Sequence, residues 1–162
     1  MLHRLVALSL ALSLSSALAG QCANVSLPWG SGCGLTTPFG IPFLSCVGAP
    51  TVGNLSFALT TSAPCVSTCG FLLVGPCLPA PVAFPFGYGA GGMCGPSEAV
   101  CLLHVDPCVA LPGVPTAGGY SFSTPIPNDP GVVGLHLCAQ GVPLCSAVPC
   151  LAATQGVSVT VQ

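Results

Sequence analysis

The sequence predicts an all-β, disulfide-rich β-sandwich-like domain with long Gly/Pro loops. Three observations predict it. Twelve cysteines follow the first nineteen residues, an even number suited to a cross-linked exported fold. The 21 glycines and 18 prolines are scattered without a period, which excludes collagen and disfavours helix interiors. Beyond residue 19 no window keeps an i, i+3, i+4, i+7 apolar pattern, whereas several short segments alternate at period two.

The chain begins MLHRLVALSLALSLSSALA. His3 and Arg4 precede an apolar run, Leu5 to Leu14, and Ala17-Leu18-Ala19 is a small-x-small cleavage signal. Residues 1–19 therefore read as a secretory signal peptide and 20–162 as a single secreted Cys-rich β-domain. Cys22 stands one residue too late for the usual lipidated cysteine.

The composition narrows function sharply. Arg4 is the only Lys or Arg, so the mature chain has no side-chain cation beyond His104 and His136. Nucleic-acid binding and polybasic attachment to anionic lipid both need such cations. Charged residues make up 2% of the sequence, against about 25% for an ordinary domain. Little repulsion keeps such surfaces apart. The longest apolar stretch of the mature chain, GFLLVGPCLPAPVAFPF, carries four prolines, so no transmembrane segment is expected in the mature chain.

The elements follow in order. Trp29, Phe39 and Phe43, near Cys33 and Cys46, suit core packing better than a sugar platform. In Asn54 to Thr61, Leu55, Phe57 and Leu59 share one face of a strand. Cys77 to Ser97 reads as a long loop tied by Cys77 and Cys94, and its Gly87 to Gly92 lacks the Lys of a phosphate loop. Tyr120 and Phe122 share a strand face after the turn Ala117-Gly118-Gly119. Pro127, Asn128, Asp129 and Pro130 form a turn, since each X-Pro step favours extended backbone and Asn and Asp bond the local backbone. A strand is then expected over Val132 to Ala139. It puts Val133, Leu135, Leu137 and Ala139 on one face and Gly134, His136 and Cys138 on the other. Val157, Val159 and Val161 alternate with Ser158 and Thr160 in a last strand.

The disulfide candidates are Cys22, Cys33, Cys46, Cys65, Cys69, Cys77, Cys94, Cys101, Cys108, Cys138, Cys145 and Cys150. Their connectivity cannot be read from spacing. Cys101, His104 and Cys108 have zinc-like spacing, but no fourth ligand is marked and export favours oxidised thiols, so no metal and no cofactor are expected. His104 and Asp106 would share a strand face, yet no nucleophile is marked to complete a triad. A strand-end pair bonded to backbone or water is the simpler reading. The three acids Glu98, Asp106 and Asp129 offer poor material for a glycosidase pair. Asn24-Val-Ser26 and Asn54-Leu-Ser56 match the N-glycosylation pattern. No catalytic residue is assigned.

Four pieces of the chain carry a family resemblance: Gly48 to Leu59, Leu103 to Pro107, Pro125-Ile-Pro-Asn-Asp-Pro130 with Gly134-Leu-His-Leu-Cys-Ala-Gln140, and Gly156 to Val161. In order and spacing they resemble the Gly/Pro-rich β-domain at the C-terminus of many secreted proteins of planctomycetes and related environmental bacteria. The many cysteines and the lack of a larger upstream domain depart from that pattern. The resemblance implies an exported β-domain without supplying a catalytic residue.

The expectation is a non-catalytic structural or adhesive protein of the cell surface or extracellular matrix, its partners other copies of itself or cell-surface components. Its motivation is the near-absence of charge together with strand edges that carry no lysine. An extracellular carbohydrate-binding module using Trp29, Tyr88 or Tyr120 is the alternative.

Overall fold

The computed structural model describes residues 42–62, 67–83, 101–145 and 150–162. Among the described residues eleven strands form three antiparallel sheets, and there is no α-helix. The first sheet has the order β1 (Leu44–Val47), β2 (Ala58–Ser62), β8 (Gly119–Ser123), β7 (Val114–Thr116). The second runs β10 (Cys150–Leu151), β9 (His136–Cys145), β3 (Ser67–Gly75), β6 (Val109–Pro112), with β11 (Val157–Thr160) also paired to β9. The third is the pair β4 (Cys77–Ala83) and β5 (Leu102–Val105).

The first two sheets form the sandwich. Leu44, Phe57, Leu59, Tyr120 and Phe122 from one side meet Leu72, Ala139, Val157 and Val161 from the other in one buried core. Tyr120 is 2% exposed, and its ring lies 6.4 Å from that of Phe122, tilted by 32°. A Cβ at Gly70 of β3 would come within 2.7 Å of the Tyr120 ring, so the close approach of the sheets there needs glycine.

The small β4–β5 sheet covers the outer face of the second. Leu103, Val105 and Cys138 are buried together, with Leu73, Cys77 and Leu78 packed against them. This third layer explains why Gly70 to Val74 does not alternate. Strand β3 is central, with apolar neighbours on both faces, and such strands read as continuous apolar runs.

Three expected elements change. Leu55 is 71% exposed because Asn54 to Ser56 is a turn, and the strand starts only at Ala58. The Asn54 side chain sets that turn: Oδ1 accepts from the Ser56 amide at 3.1 Å and Nδ2 donates to the Ala49 carbonyl at 2.7 Å. The strand expected from Val132 begins at His136 instead. Pro130–Val132 forms a 3-10 turn and Gly134 has φ +82°, a left-handed value that interrupts extended backbone. Val133 and Leu135 are consequently exposed. Third, Cys77–Ala83, expected as loop, is strand β4, irregularly paired with β5.

Pro143 lies inside β9, a place proline normally avoids. Its carbonyl accepts from the Ala152 amide at 3.1 Å, so its backbone polar groups point toward β10. The missing N–H therefore falls on that side, and the pairing with β3 loses no bond at Pro143.

Candidate functional site

The chemistry-bearing residues do not converge. His104 sits in β5 and is 1% exposed, and neither ring nitrogen has a hydrogen-bond partner. This corrects the expectation of a bonded strand-end pair. Burial holds its pKa below the ordinary value of 6.5, so the ring is neutral at neutral pH. Asp106 lies past the end of β5 and is exposed, and its backbone amide donates to the Pro76 carbonyl. His136 is exposed: Nδ1 stands 2.8 Å from the Thr160 hydroxyl, and Nε2 stands 3.5 Å from the Cys77 sulfur.

The sequence singled out Gln140 only as the end of a motif. In the structure it is fully buried and joins three segments. Its Oε1 accepts from the His104 amide at 3.0 Å, and its Nε2 donates to the carbonyls of Leu102 and Thr154 at 2.7 and 2.9 Å. One amide thus fastens β5 and the segment preceding β11 to β9. Its spacing could have flagged it, since Gln140 shares a face of β9 with buried Cys138.

The turn residues have structural work. The Asp129 carboxylate accepts from the Gly131 amide at 2.8 Å and caps the 3-10 turn. Pro127 accepts from Gly53, and Gly134 donates to Val161, which ties the turn to the Gly48–Asn54 loop and to the C-terminal strand. The Pro127–Pro130 turn is thus architecture.

Of the cysteines, Cys77 and Cys138 are joined to one another by a disulfide, and Cys46 and Cys101 each take part in a disulfide. Oxidised Cys101 cannot act as a thiolate ligand beside His104. Cys108 is an exposed thiol. The register sets Cys145 opposite Cys150 across β9 and β10. Cys22, Cys33, Cys65 and Cys94 lie outside the described residues, as do Glu98, Trp29, Phe39, Tyr88 and the Gly87–Gly92 segment. Tyr120 faces the core, which removes it as a sugar platform. Phe43 is exposed and does not pack in the core as expected.

A cleft of about 420 Å³ lies between the two sheets of the sandwich. Phe57, just before β2, and Leu59 of β2 line one wall, and Val74, Leu111, Ala139 and Val159 of the second sheet line the other. Pro125 to Pro127 and the Val132–Leu135 turn frame its mouth. Among the described residues no ionisable side chain lines it, and the hydroxyls of Ser123 and Thr124 are the polar side-chain groups there. The place suits binding by burial and not acid–base or nucleophilic work.

Among the described residues no three His, Cys, Asp or Glu side chains gather as a metal site, and no helix is long and apolar enough to cross a membrane. Comparison with family models, curated proteins and solved structures gave no match.

Proposed function

We propose that the chain is a secreted, non-catalytic structural or adhesive protein of the cell surface or extracellular matrix. The observation that carries this reading is its surface. Phe43, Val47, Leu55, Val109, Val114 and Val133 are exposed, while Asp106 and Asp129 are the only carboxylate side chains among the described residues. Uncharged surface with scattered apolar side chains favours contact with other surfaces. The leader-like first nineteen residues, the disulfides and the resemblance of the Pro125–Gln140 stretch support export.

The edges shape how such contacts form. Leu111 and Gly113 face β3, so Pro112 turns its nitrogen to the open side of β6; register alternation does the same for Pro115 in β7. Pro79 and Pro81 lie in β4. Prolines block strand addition where lysines were missing. At the β6 and β7 edges association therefore runs through side-chain faces and not through added strands.

Fractionating native cultures into medium, cell surface and periplasm, with sizing under non-reducing conditions, tests the proposal. Surface-bound material of high mass is expected. Monomer confined to the medium or periplasm would overturn it. The carbohydrate reading gains no support from Tyr120, and its other aromatics lie outside the described residues.

A further inference from the structure

We propose that the cleft between the two sheets is a binding site for a small neutral apolar molecule, lipid-like or aromatic, with at most a hydroxyl as its polar group. This is separate from the adhesive reading and does not depend on it.

Size is the first argument. The cleft measures about 420 Å³. An apolar cavity of about 150 Å³ accepts benzene, and ligand pockets run from about 300 to 1,000 Å³. The space therefore suits a molecule two to three times larger than one aromatic ring, by the rough proportion of these volumes.

The lining decides the chemistry. The walls are aliphatic and aromatic, and their burial against an apolar body is the only strong attraction on offer. No Lys or Arg exists beyond Arg4, so a fatty-acid carboxylate would enter without a cation to meet it. The nearest charge of the framing turn is an acid, Asp129. A cationic amphiphile would find no carboxylate inside the cleft either. A neutral ligand meets neither penalty.

The backbone at the mouth argues against a peptide occupant. Pro125 and Pro127 have no N–H, and the amides of Thr124 and Ile126 already donate to the carbonyls of Phe57 and Asn54, both at 3.0 Å. A strand entering here, from this chain or a second copy, would bury its own N–H groups with few partners. A hydrocarbon body has no such groups to satisfy. Ser123 and Thr124 stand where one ligand hydroxyl could be met.

The cleft also has a place for ligand to enter. Leu135 borders it and is 45% exposed, and the framing 3-10 turn buries none of its residues.

The test uses the oxidised, purified chain in its monomeric fraction. The neutral probe N-phenyl-1-naphthylamine is titrated by fluorescence, then displaced with 1-decanol or with decanoate at neutral pH. Saturable binding of one probe per chain is expected, with decanol displacing it at least about tenfold more effectively than decanoate. Ala139→Leu, which fills the floor, should weaken binding by about tenfold or more. Should that variant fail to fold, Leu135→Asp at the exposed mouth decides, with weakening of several-fold expected. Absence of saturable binding, equal displacement by the carboxylate, or unchanged affinity in the folded variants would each overturn the proposal.

Discussion

Gln140→Leu is the substitution that most directly tests how the third layer is held. The wild-type amide is buried between β9, β5 and the segment before β11. Leucine fills nearly the same volume, so little of the effect comes from a cavity. What changes is polar. The His104 N–H loses its acceptor, and the carbonyls of Leu102 and Thr154 each lose a donor. An orphaned buried donor costs about 1–3 kcal/mol and each lost carbonyl bond about 1 kcal/mol, so the total is about 3–5 kcal/mol. For a chain of this size that lowers Tm by roughly 10–15 °C. Thermal and guanidinium denaturation of the oxidised protein measure it. Amide exchange at His104 provides a local readout and should accelerate. Gln140→Glu separates polarity from volume. Its carboxylate could still accept from His104 but would face two carbonyl oxygens, which with burial raises its folded-state pKa. A raised pKa gives stability that is present at acid pH and lost as pH rises, so this variant should regain stability on acidification. A loss below about 1 kcal/mol in Gln140→Leu would refute the clamp, since even a single orphaned donor should cost that much.

Two further predictions concern neighbours of that clamp. Removing the Cys77–Cys138 bond by paired Ala substitution opens a closure of 61 residues, which the chain-entropy estimate sets at about 4 kcal/mol; a guanidinium midpoint unchanged from wild type would contradict it. His104, held below its ordinary pKa of 6.5 by burial, takes up a proton more readily when unfolded. Its contribution to stability is complete above that value and falls as the pH drops through it toward the folded-state pKa, at no more than about 1.4 kcal/mol per pH unit. His104→Phe should flatten the denaturant midpoint between neutral and mildly acid pH; an unchanged slope would place the titration elsewhere.

The sequence reveals strands best where one face is wet. Tyr120 and Phe122 alternate with half-buried Ser121 and exposed Ser123, and both rings lie in the core as their pattern predicts. Phe57 and Leu59 behave likewise, but Leu55 does not, because the Asn54 side chain folds the backbone before the strand begins. Alternation counts side chains and is blind to such local bonds. The same blindness placed a strand at Val132, where Gly134 turns left-handed. Strand β3 was hidden for the opposite reason: covered on both faces, it has no wet side to alternate with. Strand β9 runs on past Ala139 to Cys145 through Pro143, whose nitrogen faces away from β3 and so takes no bond from that ladder. The cleft was illegible altogether. Its walls come from β2, β3, β6, β9 and β11, and only the packing of two sheets brings them together.

The burial of Cys138 also constrains how the molecule matures. Its side chain has no exposed surface, lying beneath Leu103 and Val105 of β5. An oxidising enzyme can reach its sulfur only before β4 and β5 settle over the second sheet. Cys77 leads Cys138 by 61 residues, so the earlier thiol must wait for most of the chain to arrive. A chain that packed its third layer while reduced would therefore shelter this thiol from any oxidant too large to enter the fold.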